Sequence, residues 1–142
     1  MNNEQKILLD FIKEQTLCVL ATVHANGTPE AAVIEFGETP QLEIIFDTLS
    51  SSRKYANLIR NPNVALVIGW DENITAQFEG IATELAGEDR QRCTALYFSK
   101  NPRAEKWQHR ENIRYFKVTP RWIRYSDLRQ EPWKVFELRL PS

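Results

Sequence analysis

Cysteine and histidine are both scarce: Cys18, Cys93, His24 and His109 are all that 142 residues contain. No CxxC pair and no Cys/His cluster occurs, so a structural zinc site lacks a ligand set and a disulfide framework has no basis. Five glycines and seven prolines exclude collagen-like and low-complexity architectures. No GxGxxG, Walker loop or HExxH is present, and His109 has no Ser or Asp in a spacing that suggests a hydrolase triad. No apolar run approaches the ~18 residues of a membrane span. The opening Met-Asn-Asn-Glu-Gln-Lys lacks the apolar segment of a signal peptide. The expectation is a soluble cytoplasmic protein with reduced thiols. Excess charge of one sign is missing too: 18 Lys+Arg against 19 Asp+Glu give a net charge of −1. That argues against a strongly basic nucleic-acid binder.

What is present is an ordinary globular composition, 42% hydrophobic and 26% charged. A chain of this length buries roughly two thirds of its unfolded surface and needs no staple, so residues 1–142 are expected to form a single domain. Ile7, Leu8, Phe11 and Ile12, spaced among charged residues, predict an amphipathic helix over 4–15, capped by Asn2 or Asn3. Leu17 to Val23 then reads as a strand, Asn26-Gly27 as a hairpin turn, Ala31 to Phe36 as a second strand and Leu42 to Phe46 as a third. Tight turns between them predict a three-stranded meander. Arg53 to Arg60 is helical and stops at Asn61-Pro62. Strands follow at 64–68 and 74–85, the latter bent at Gly80, then a helix at 88–98 and a short helix or turn at 103–110. Strands at 113–118, 122–125 and 135–140, separated by Pro120 and Pro132, close the chain. The order predicts a mainly β, α+β fold: an antiparallel barrel with helices at its ends.

The stretch Phe46-Asp47-Thr48-Leu49-Ser50-Ser51-Ser52-Arg53-Lys54 carries the most chemistry. A helix N-terminus bears about half a positive charge and free N–H groups, so two cations there are unfavourable unless an anion answers them. With serines as donors and Arg53 able to grip a phosphate in bidentate fashion, the helix start predicts an anion site; a solvated basic pair behind a Ser cap is the plain alternative. Gln77 lies among apolar neighbours and either meets a ligand or faces solvent.

In order and spacing these segments resemble the pyridoxamine 5'-phosphate oxidase-like family of FMN-binding split barrels. The resemblance begins at Leu20-Ala21-Thr22-Val23 and Asn26-Gly27-Thr28-Pro29. It is most specific from Phe46 to Lys54 with Leu58, Asn61-Pro62 and Trp70. It continues through Thr75 to Ala82 and Tyr115 to Trp122. It implies a six- to eight-stranded antiparallel split β-barrel, dimeric, with FMN in clefts at the homodimer interface. By position, Arg53 and Lys54 would hold the FMN phosphate, and Asp47 and Thr48 would lie along the ribityl-phosphate end. Val33, Ile34 and Glu35 would line the flavin ring, and Gln77 or Thr75 would add a polar contact.

The departures fall in the substrate half. Where the oxidases carry an Arg and a Lys on the second strand, this chain has Ala32 and Gly37. Asn101 and Glu105 stand at the positions of a substrate-phosphate Arg and Ser, and Ser126 replaces a Trp. The resemblance thus implies an FMN-dependent oxidoreductase of an unassigned small substrate rather than an authentic oxidase of pyridoxamine 5'-phosphate. The alternative is a non-catalytic flavin- or haem-binding or sensor protein. A third reading is single-strand nucleic-acid binding by Arg110, Arg114, Lys117, Arg121, Arg124 and Arg129, interleaved with Tyr115, Phe116, Trp122 and Tyr125. Glu111, Asp127 and the near-zero net charge weigh against it.

Overall fold

The computed structural model describes residues 1–141. It begins with helix α1 (Asn3–Lys13), whose Asn2 cap and Gln5 form a reciprocal capping box. Strands β1 (Leu17–Val23) and β2 (Pro29–Glu35) follow as a hairpin. Its turn needs Gly27, which sits at φ +88°. Next come β3 (Gly37–Glu38), β4 (Ile44–Leu49), helix α2 (Arg53–Arg60), β5 (Asn63–Ile68) and β6 (Ile74–Glu84). Helix α3 (Gly87–Lys100), a 3-10 segment (Pro102–Trp107), β7 (Ile113–Asp127) and β8 (Lys134–Arg139) complete the chain.

All eight strands belong to one antiparallel sheet in the order β2-β1-β5-β6-β7-β4-β3, with β8 also on β7. Long β7 organises one side. One edge pairs with β6, and the other carries β4 against its first half and β8 against its second. The sheet curls until β2 and β4 lie against each other without hydrogen bonding, which is where the barrel is split. Phe36, Phe46, Phe78, Phe116, Leu20, Leu66 and Ile123 fill the interior, closed at one end by Leu8 and Ile12 of α1. A second apolar layer lies outside the barrel wall, where α3 packs Cys93 and Tyr97 on Ile45, Ile113 and Tyr115. Strand β4 is therefore covered on both faces, which explains the adjacent buried pair Ile44-Ile45.

Three expectations are corrected. The third strand does not continue a meander: β4 pairs with β7 and β3, at the far end of the sheet from β2. The stretch expected to be a turn from Gly37 contains the short strand β3. The two strands expected on either side of Pro120 are one, because Pro120 falls at a bulge opposite Gly80, where the register with β6 slips. A missing N–H is tolerated there. The free thiols of Cys18 and Cys93 are both buried.

Candidate functional site

A cleft of about 720 Å³ opens at the split between β2 and β4. Val33, Ile34 and Glu35 of β2 form one wall and Asp47, Thr48 and Leu49 of β4 the other. Ser51, Ser52 and Lys54, at the start of α2, lie along it, together with Tyr97 of α3, Trp107, Arg110, Ile113 and Leu17. The size falls in the range of small-molecule sites, about 300–1,000 Å³. Val33 is 60% exposed and Trp107 38%, so apolar surface faces the opening.

Local structure fixes the basic end. Ser52 caps α2: its Oγ accepts the Tyr55 N–H at 3.0 Å and shares a hydrogen bond with Thr48 Oγ1 at 2.8 Å. No acidic residue stands in the first turn of α2, whose opening residues are Arg53 and Lys54. Lys54 lines the main cleft. Arg53 lines an adjoining pocket of about 290 Å³ that shares Ser52 and Lys54 with it. The Arg53 guanidinium meets Glu30 Oε2 at 2.7 Å, and Glu30 Oε1 accepts the buried Asn57 amide at 2.8 Å. The Asn57 hydrogen bond, with the Arg53 charge, holds the Glu30 carboxyl below its usual range.

Asp47 and Thr48 are neighbours on a strand and so point to opposite faces. Thr48 turns to the Ser52 cap. Asp47 turns outward under α3, where Tyr97 donates its hydroxyl proton to Oδ2 at 3.0 Å. Burial pushes the Asp47 carboxyl above the ordinary range; the Tyr97 hydrogen bond opposes this, nearby Glu35 adds to it and Lys54 lowers it. Tyr97 is pushed upward in turn, by burial and by the charge of Asp47. Tyr115, opposite Asp47 on β7, buries a hydroxyl with no hydrogen-bond partner among the described residues.

Of the residues expected at the cofactor, Val33, Ile34, Glu35, Asp47, Thr48 and Lys54 meet in this one cleft, with Arg53 next door. Thr75 and Gln77 do not line it; they lie on β6 with side chains on the outer face of the sheet. That face reads in rows across the strands: Val33, Val19, Val67, Gln77, and Ala31, Ala21, Ala65, Glu79. Sequence reasoning missed Trp107 and Arg110, whose guanidinium stacks 4.3 Å from the indole centre. An exposed Trp after a Pro-broken helix was the available signal. It also missed Glu30 and Asn57.

Four of the six cations near the C-terminus are occupied elsewhere. Arg114 pairs with Glu84, Lys117 with Glu43 and Asp89, Arg124 with Glu137 and Arg129 with Asp127. Tyr115, Phe116 and Tyr125 are buried. Among the described residues no group of metal-ligating side chains forms, and no helix is long and apolar enough to cross a membrane.

Residues 5–127 match the family described as pyridoxamine 5'-phosphate oxidase. A pyridoxine/pyridoxamine 5'-phosphate oxidase of Ehrlichia ruminantium (strain Welgevonden) is 32% identical over 92 residues, which cover 64% of this chain and 47% of that protein. The chain spans less than half the length of such curated relatives. Among solved structures, a haem-binding protein from Mycobacterium smegmatis aligns over 98% of this chain and 59% of its own, with a TM-score of 0.82 and 13% identity. A pyridoxamine 5'-phosphate oxidase-related, FMN-binding protein from Nostoc punctiforme PCC 73102 aligns over 100% and 98%, with a TM-score of 0.69 and 13% identity. At such identities the likeness is one of fold, the split barrel.

Proposed function

Since the chain belongs to the pyridoxamine 5'-phosphate oxidase family, we propose that its cleft binds FMN and that the protein is an FMN-dependent oxidoreductase of a small substrate other than pyridoxamine 5'-phosphate. One observation carries this reading. At one end of a largely apolar cleft, the serines, Lys54 and the N–H groups at the start of α2 converge with no acidic residue in the helix's first turn, and Arg53, paired with Glu30, adjoins them. That donor set suits a phosphate dianion. Lys54 and Arg53 would hold it, Thr48 would act by fixing the Ser52 cap, Asp47 would border the ribityl-phosphate end, and Val33, Ile34 and Glu35 would flank the ring. FMN, when bound, supplies hydride chemistry; the protein supplies position, electrostatics and access.

The substrate half supports the departure from the oxidases. At Gly37 a Cβ would stand 2.9 Å from the Tyr97 Cα, so no longer side chain fits while α3 sits there. Asn101 is buried and spends its amide on the carbonyls of Phe36 and Tyr97, at 2.7 and 3.1 Å. Neither position offers a cation to a substrate phosphate.

A homodimer follows from the same reading. The outer face of β2, β1 and β5 is small and apolar, and Thr75 and Gln77 lie beside it on β6, outside their own cleft. A partner copy on that face would bring Gln77 toward the partner's cofactor. The buried thiols suit a reducing cytoplasm, and residues 1–142 are read as one FMN-binding domain. Haem is the second candidate, because a fold neighbour binds it. The cleft, however, is lined by no His, Cys or Met, and its Tyr97 hydroxyl is committed to Asp47.

The visible spectrum of the purified protein tests the reading. Flavin bands, with FMN released on denaturation, are expected. A Soret band, or a chain that remains colourless after incubation with FMN and dialysis, would overturn it.

A further inference from the structure

Glu30 lies on β2 beside the basic end of the cleft, and both of its carboxylate oxygens are engaged. Oε2 meets Arg53 Nη2 at 2.7 Å. Oε1 accepts the Asn57 amide at 2.8 Å and lies 3.3 Å from His24 Nδ1. Asn57 is only 1% exposed, and its amide also donates to Thr22 Oγ1 at 3.0 Å. Thr22 faces Glu30 across the β1–β2 ladder. A continuous polar chain therefore runs from the barrel wall through a buried amide and a carboxylate to the first residue of α2.

Arg53 is otherwise a long, mostly exposed side chain with many rotamers. A guanidinium has five N–H donors, and one carboxylate oxygen leaves most of them free. Glu30 thus restrains the fork without consuming it. Its negative charge subtracts from the local field, but Arg53, Lys54 and the N-terminus of α2 leave that field positive.

We propose that Glu30, fixed by Asn57, is a positioning residue that sets Arg53 beside the α2 N-terminus and so makes the site select a phosphorylated flavin over its unphosphorylated form. The inference rests on the FMN reading above. It assigns phosphate selectivity partly to a carboxylate, which charge alone would count as unfavourable.

Titration of the full chain with FMN and with riboflavin separates the cases. In Glu30→Ala, FMN binding is expected to weaken roughly 3- to 10-fold, the cost of immobilising one rotamer-rich side chain. Riboflavin affinity should stay within about twofold, because riboflavin has no phosphate for Arg53 to meet. Glu30→Gln keeps an acceptor for Asn57 and Arg53 and should fall between. FMN affinity that is unchanged or tighter in Glu30→Ala would overturn the proposal. Equal weakening of FMN and riboflavin would overturn it too, because that is the mark of a general structural loss. A wild-type chain that binds neither flavin would instead remove the FMN reading itself.

Discussion

Arg53 and Lys54 divide the proposed anion site between them in a way their adjacency conceals. Lys54 lines the main cleft, whereas Arg53 stands in the adjoining pocket with its guanidinium already partnered by Glu30. A charged hydrogen bond to phosphate is worth about 1.5–3 kcal/mol. Arg53→Ala should therefore weaken FMN binding roughly 10- to 150-fold, and Lys54→Ala should weaken it less, since an ammonium has no bidentate grip. Fluorescence titration of the apo protein measures both; an Arg53→Ala affinity within about twofold of wild type would remove the assignment. Asp47 makes a prediction with the opposite electrostatic sense. Its carboxyl is held above its ordinary range by burial, so the folded state prefers the protonated form. That preference stabilises the fold fully below the unfolded pKa and is lost as pH rises through the raised folded value. Asp47→Asn keeps an acceptor for Tyr97 and cannot ionise. Its melting temperature relative to wild type should therefore climb as pH rises from about 4, the ordinary carboxylate range, through the raised folded value; a difference independent of pH would contradict the burial argument. At the substrate positions, Gly37 has no room for a longer side chain and Asn101 is spent on backbone carbonyls. A substrate phosphate lacking two cations loses about 1.5–3 kcal/mol for each, and the positioning that phosphate binding provides is lost with it. Steady-state assays with pyridoxamine 5'-phosphate and oxygen should show very slow turnover or none. A rate like that of an authentic oxidase would mean that other cations do this work.

At the scale of elements, Gly80 shows how close packing decides the fold. It sits in the middle of β6 at the bulge facing Pro120, and a Cβ there would lie 2.5 Å from the Thr119 carbonyl oxygen and 2.9 Å from Val118 Cγ1. The nearest atom is backbone rather than the far end of a flexible side chain, so β7 itself must shift. Gly80→Ala should cost about 1–3 kcal/mol, read as a lower denaturation midpoint with an unchanged denaturant slope. A melting curve matching wild type would show that the bulge can shift. Gly80 was legible as a bend, because glycine interrupts an otherwise strand-like run. The Ser52 cap, the Asn61-Pro62 stop and the Asn26-Gly27 turn were legible for the same reason: their causes lie within a few residues. The pairing of β4 was not, since an apolar strand states only that it is buried and never beside which strand. Pro120 misled, since the register slip that accommodates it depends on Gly80, forty residues earlier. The α2 end of the cleft could be read from serines and cations gathered at a helix start, whereas its β2 wall, Val33 to Glu35, came only from the resemblance to a family. Trp107 and Arg110 could not, because only the packing of α3 on the outside of the barrel brings the 3-10 segment across the opening.

At the scale of the whole molecule, the outer sheet face bears on where the proposed flavin site ends. Leu17 is 43% and Val33 60% exposed at the cleft edge. From there the rows Val33–Val19–Val67 and Ala31–Ala21–Ala65 carry a surface of small apolar side chains across three strands, ending in Gln77 and Glu79 on β6. Such a face left to solvent is an association site. A stable interface buries roughly 1,200 Å² or more, so a second copy seated on these rows would also cover their surroundings, the exposed Leu17 at the cleft edge among them. It would also wall a cleft that, in one chain, opens between β2 and β4. The proposed homodimer thus accounts for two facts at once: the apolar face, and the placement of Thr75 and Gln77 outside the cleft of their own chain. Ala65→Arg provides the test, because Ala65 is exposed in the single chain and a long cation there should leave the barrel folded. Burying that guanidinium under a partner copy, even with Glu79 opposite it on β6, carries a desolvation penalty of several kcal/mol. Sedimentation at low micromolar concentration should give about twice the chain mass for wild type and the chain mass for Ala65→Arg. FMN affinity should fall together with the dimer, and Gln77→Ala should weaken FMN binding in the wild-type dimer while leaving its mass unchanged. A folded Ala65→Arg monomer that binds FMN as tightly as wild type would show that one chain encloses the cofactor alone, and the outer face would then need another explanation.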